Sequence, residues 1–397
     1  MKVWFCFVAA LIQLTWGMAI NGPPIEQELP QPPPTAEALA WPLDAYVRDA
    51  YLRPVWEGGI VYHESVMPLE EPDGSMNDIQ LLYVASEIIS VRSSDLRTEY
   101  VWGVDYELAD GKLRLLDGAI PRVAYTAMYP PAPLDPLPPN SLLFPGKDVP
   151  WILIEGAALF HSWQLAVTYR HTDAYPGVAP PRQDGRLPGT LAALEAGEPL
   201  RMLVYGDSLA VGAQSSGWDA INVPPYAPTF FDMFADALRA RYGSEITVLN
   251  TAVGGVNSAW AADNAQALAA DLAPELMVIS LGGNDAPGKV PPITFAWNLL
   301  RMFAKARAQN PRCEFILLAP ALQNPLSTHD NGYQMRYRPW ALQLGQEGVA
   351  ILDMGRMYSD LLARKRFEDI ASNNINHPND FTARIYAQAL LETLKAE

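Results

Sequence analysis

The chain has 397 residues, 49% of them hydrophobic, and a formal net charge of −16. That length and apolar content suit a large core and at least two domains. The acidity speaks against nucleic acid or an anionic membrane surface as a partner, since both call for basic patches.

Residues 1–19 combine Lys2, an apolar run from Val3 to Trp16 and the small-residue end Gly17-Met18-Ala19. This pattern predicts a secretory signal peptide, too short to serve as an integral membrane anchor, so the mature chain is expected to be secreted or periplasmic. A Pro-rich linker, 20–37, follows, with prolines at 23, 24, 30 and 32–34. Cys6 falls inside the leader. Cys313 is then the single mature cysteine, and its place beside the apolar run Phe315 to Leu318 predicts a buried thiol and no internal disulfide. The histidines, His63, His161, His171, His329 and His377, have no ligand spacing, so neither metal nor cofactor is expected.

Residues 38–175 read as β-rich. Strand candidates are Gly59 to Met67, Ile79 to Tyr83, Ile88 to Val91, Tyr100 to Leu108 and Lys112 to Leu116, with Asp-Gly pairs at 73, 110 and 117 as turns. From Trp163 to Arg170 apolar and polar residues alternate, as in a half-buried strand. A β-sandwich is expected here. Tyr129 to Pro139 is a Pro-rich loop, and prolines at 176, 180, 181 and 188 mark a linker over 176–190. The segment from Thr190 onward is expected to fold without the β-rich region.

From Leu200 the pattern alternates strand and helix, which predicts an α/β domain over 191–397 with a parallel sheet between helical layers. The strands expected are Leu200 to Tyr205, Ile246 to Leu249, Leu276 to Leu281, Phe315 to Leu318 and Val349 to Leu352. Phe381, Ile385 and Ala389 give the last helix one buried stripe.

Four short segments stand in the loops of this domain: Tyr205-Gly206-Asp207-Ser208-Leu209, Asn250-Thr251-Ala252-Val253-Gly254-Gly255, Gly282-Gly283-Asn284-Asp285 and Asn376-His377-Pro378-Asn379-Asp380. A serine on the turn after a parallel strand projects its hydroxyl above the sheet edge, and it needs a neighbouring base to become a nucleophile. Each segment alone also reads as an ordinary turn or cap. Together, and in this order, they resemble the signature blocks of the SGNH, or GDSL, hydrolase family. The resemblance covers roughly the C-terminal half and implies a serine esterase. Ser208 would be its nucleophile and His377 its general base. The oxyanion would be held by the backbone of Ser208 and Gly255 and by the Asn284 amide. Asp207 is expected to bond the backbone of its own turn.

The chain departs from the family just before His377. Asn374 occupies the place, three residues ahead of the histidine, where these enzymes usually carry the Asp that supports the base. Asn374 could orient the imidazole through its side chain, a backbone carbonyl could do so in a Ser-His dyad, or Asp330, Asp353 or Asp380 could substitute. The substrate implied is an acylated small molecule or polysaccharide, with carbohydrate O-acetyl esters favoured and Trp218, Tyr226 and Trp260 as candidate sugar contacts. Lipid ester hydrolysis or acetyl transfer at the same site, and a non-catalytic carbohydrate-binding protein, are the alternative readings.

Overall fold

The computed structural model describes residues 51–156 and 158–394. The expected leader and the Pro-rich stretch 20–37 lie outside the described residues.

The N-terminal region is β-rich. Strands β1 (Ile60–Val66), β2 (Ala85–Ser93) and β7 (Leu165–His171) form an antiparallel sheet in the order β1-β7-β2. Two ribbons accompany it, β3 (Tyr106–Ala109) with β4 (Lys112–Leu115) and β5 (Ser141–Pro145) with β6 (Trp151–Glu155). The β5–β6 ribbon has no counterpart among the expected strands, because the prolines at 138, 139, 145 and 150 argue against strand at that place. Conversely, Ile79 to Tyr83 joins no ladder beyond one bridge from Ile79 to Leu113. Its amides turn to side chains instead: Leu82 N–H donates to Glu64 Oε1 and Tyr83 N–H to the Tyr169 hydroxyl.

The second region holds five parallel strands, β8 (Leu200–Gly206), β9 (Ile246–Asn250), β10 (Leu276–Ser280), β11 (Glu314–Ala319) and β12 (Val349–Asp353), in the order β12-β11-β10-β8-β9. Successive side chains point to opposite faces, so an apolar run feeds two helical layers. Leu203, Tyr205, Met277, Ile279, Phe315 and Leu317 pack on one side. That layer is α2 (Ser258–Leu268), α3 (Pro292–Gln309) and α4 (Tyr333–Gln343), which follow α1 (Phe230–Tyr242) in the chain. Met202, Val204, Leu276, Val278 and Ile316 face α1, α5 (Met354–Leu362) and α6 (Asp380–Thr393) on the other.

Two features of the structure bear on domain organisation. First, α6 is buried all round from Phe381 to Leu390, not along one stripe. The N-terminal sheet covers its outer side, and Val61, Val91 and Val167 share one hydrophobic cluster with Phe381, Ile385 and Leu390. Two polar residues of α6 belong to this contact. Arg384 donates to the carbonyls of Tyr62 and His63, and Gln388 bonds Tyr51 O and Val55 N–H. Second, residues 176–190 are not a free tether. The Gln183 amide pairs with both backbone groups of Ile351 on the sheet-edge strand β12, while Glu314 accepts from the amides of Gly189 and Thr190. The two regions therefore share a core.

Candidate active site

Strand β8 ends at Gly206, where φ is +149° and an added Cβ would lie 1.9 Å from the Ser280 carbonyl oxygen. Only glycine fits so close to β10. Asp207 follows, its amide donating to Ser280 O and its carboxylate accepting from Leu209 N–H. It thereby caps the short helix Ser208–Val211, which presents the nucleophile candidate on its first turn. Burial pushes the Asp207 carboxyl up to about 7, with the negative charge of Asp285 adding to the rise.

Ser208 Oγ lies 2.8 Å from His377 Nε2, across 169 residues of sequence. His377 is 3% exposed, and burial lowers its pKa to about 4. The loop that delivers it is organised by one side chain: Asn373 Oδ1 accepts from the amides of Ile375, Asn376 and His377 at 2.9–3.0 Å. The Asn-rich run before the histidine is thus a hydrogen-bonded turn. Asn379 caps the following helix, accepting from Thr382 N–H.

The second and third blocks reach the same edge of the sheet. A Cβ built on Gly254 would lie 3.8 Å from Ser208 Cβ, so this loop runs beside the serine. Gly255, at φ +79°, is exposed next to it. Asn284 Nδ2 donates to the Val256 carbonyl at 3.0 Å, which ties its block to the glycine loop and leaves the second amide hydrogen for another acceptor. Behind it, Asp285 accepts from the amide and hydroxyl of Ser258 at the start of α2. Asp285 therefore ties the Asn284 loop to the start of α2, which follows the glycine loop.

Asn374 does not support the base through its side chain, and that expectation is corrected. It sits at φ +59°, a conformation Asn tolerates, and its side-chain amide bonds other groups. Its Oδ1 accepts from the Tyr129 hydroxyl and Asn324 Nδ2, and its Nδ2 donates to Leu153 O. The alternative carboxylates are engaged elsewhere: Asp353 pairs with Arg338, Asp330 with Lys147, and Asp380 accepts from Ser216 N–H. The group facing His377 Nδ1, at 3.1 Å, is Oε1 of Gln214. Sequence reasoning missed it, for no local motif marks this glutamine six residues past the serine. Of the aromatic candidates, Trp260 packs partly buried against the core, Trp218 is half-buried, and Tyr226 is 42% exposed.

Among the described residues, no group of three or more His, Cys, Asp or Glu side chains could hold a metal ion, and no helix is long and apolar enough to cross a membrane. Cys313 is a buried free thiol that burial pushes up to about 12.

Residues 204–385 match the sequence model of the GDSL-like Lipase/Acylhydrolase family. No curated protein matches the chain. Among solved structures it is similar to a two-domain esterase (CEX) active on acetylated mannans, at 19% identity over 54% of this chain and 54% of that one, with a TM-score of 0.43. It is also similar to Axe2, an acetylxylan esterase from Geobacillus stearothermophilus, at 16% identity over 50% of this chain and 95% of that one, with a TM-score of 0.40. The match thus spans about half the length of the two-domain esterase.

Proposed function

We propose that the protein is a serine esterase that releases acyl groups through an acyl-Ser208 intermediate, acting on O-acetylated carbohydrate. The observation that carries this reading is the 2.8 Å contact between Ser208 Oγ and His377 Nε2, at a sheet edge shared with Gly255 and Asn284. As Oγ adds to the ester carbonyl, its proton passes to Nε2. The carbonyl oxygen becomes an oxyanion facing the amides of Ser208 and Gly255 and the spare hydrogen of Asn284 Nδ2. His377 then gives its proton to the departing alcohol oxygen. A water molecule repeats the sequence on the acyl-enzyme and frees the carboxylate.

The carbohydrate assignment is supported by Trp218 and Tyr226, which lie on the loop after Gln214 where ring faces can stack on sugars. Export, supported by the pattern of residues 1–19, would place the enzyme with extracellular or periplasmic polysaccharide. The test is acetate release from acetylated xylo- and manno-oligosaccharides, beside short- and long-chain acyl esters. Ser208→Ala should lower kcat by on the order of 10⁶, as loss of the nucleophile does in serine hydrolases. Acetate release undiminished in folded Ser208→Ala protein would overturn the mechanism. A preference for long acyl chains would redirect the substrate class to lipid.

A further inference from the structure

We propose that Gln214 is a positioning residue that fixes His377 in its productive tautomer, and that the β-rich region aims Gln214 by supplying the carbonyl of Glu155. This rests on the reading of His377 as the base.

An amide can turn either end toward an imidazole, so contact alone does not assign the proton. Here another contact of the amide decides. Gln214 Nε2 donates to the Glu155 carbonyl, a group that can only accept, at 2.6 Å. Turning the amide over would set two acceptors against each other at Glu155. Oε1 therefore faces the ring, Nδ1 carries the hydrogen, and the Nε2 lone pair points at Ser208. Gln214 is 3% exposed and sits at φ +71°, a backbone region that non-glycine residues seldom occupy. A left-handed conformation at a buried, fully engaged side chain is characteristic of positions held for function.

The second half of the proposal lies in β6. This strand pairs with β5 along one edge only. On its other edge, Leu153 O and Glu155 O, two residues apart, accept from Asn374 Nδ2 at 3.3 Å and Gln214 Nε2 at 2.6 Å. One amide belongs to the histidine loop and the other to the segment that braces the histidine. The same loop is gripped again by Gln164, ahead of β7, whose amide donates to Glu368 O and Ala371 O. The N-terminal region thus sets the base by hydrogen bonds to both sides of it.

A neutral partner differs from a carboxylate in a measurable way. It orients the ring without stabilising the imidazolium. The titratable side chains on the elements packed around His377 are Asp207, Glu155, Glu368, Asp369 and Asp380, and burial raises Asp207, Glu368 and Asp369.

The test uses the full chain with ¹⁵N-labelled histidine. In wild type near neutral pH, the resonances assigned to His377 should show a protonated Nδ1 and a bare Nε2. Gln214→Ala should mix the tautomers and lower kcat roughly 10²-fold, less than the ~10⁴ that follows when a triad Asp→Asn change imposes the wrong tautomer, with KM little changed. Gln214→Glu should move the acid limb of the pH-rate profile upward by a unit or more. A glutamine that only filled space would shift thermal stability and leave tautomer and limb in place. A hydrogen on Nε2 in wild type, or an unaltered tautomer and pH profile in folded Gln214→Ala, overturns the proposal. The wild-type spectrum requires neither a variant nor ester turnover, so it stands apart from the fate of the esterase reading.

Discussion

Glu64 on β1 and Lys365 just beyond α5 form an ion pair with both side chains wholly buried, one from each region of the protein. The Glu64 carboxylate also accepts from Tyr169 Oη at 2.6 Å and from Leu82 N–H at 2.9 Å, so the buried charge is satisfied from three directions. Removing one partner leaves the other uncompensated, which costs about 3–5 kcal/mol in comparable buried pairs. Lys365→Met should destabilise the protein by about that amount in denaturant unfolding. By the same logic, a fragment beginning at Thr190 should be insoluble or unfolded, since it exposes Lys365 and the outer side of α6. A loss under about 1 kcal/mol in Lys365→Met, or a cooperatively folding fragment, would mean that the two regions do not depend on each other.

The parallel strands were legible because strands buried on both faces are continuous apolar runs, and β8, β10 and β11 fall within a residue or two of their expected ends. The residues of the four blocks could be named because turn chemistry and nucleophile chemistry need particular residue types in particular loops. Gln214 could not be. Its place depends on a histidine 163 residues later and on a carbonyl 59 residues earlier, and a backbone carbonyl has no sequence signature. The union of the two regions did leave a trace: Arg384 and Gln388 stand four residues apart in a buried helix, and buried polar side chains must meet polar partners. The prolines of 176–190 concealed it, since a rigid stretch docked on a sheet edge has the same composition as a linker.

Asn284 supplies the only proposed oxyanion donor that a substitution can remove. Asn284→Ala should lower kcat by roughly 10² to 10³, the usual effect of losing one such donor, while KM changes little because the donor acts on charge that develops in the transition state. The tie to Val256 O is lost as well, so thermal unfolding of the variant should be recorded beside its kinetics. A kcat within about threefold of wild type would remove Asn284 from the oxyanion site.

The pH dependence should be displaced to acid. In the proposed mechanism the neutral imidazole is the active base, and burial lowers His377 to about 4 from the ordinary 6.5. Protonation, and with it loss of kcat/KM, should therefore centre near pH 4, with activity present above that value and about a tenfold fall for each unit below it. Folding carries the same sign for this residue: between pH 6.5 and 4 the unfolded chain binds a proton that the native His377 refuses, so its contribution to stability is full above 6.5 and declines as the pH falls. Asp207, raised from 3.8 to about 7, works in the opposite sense, because its buried carboxyl is accommodated as the neutral acid, and that contribution is full below 3.8 and fades as the pH rises to 7. The two contributions oppose each other between pH 4 and 6.5. Initial rates from pH 3 to 8, with circular dichroism at each point to separate titration from unfolding, check the prediction. An acid limb centred near 6.5 in folded protein would mean that the ring is solvated or charge-paired, and that Gln214 is not what faces it during turnover.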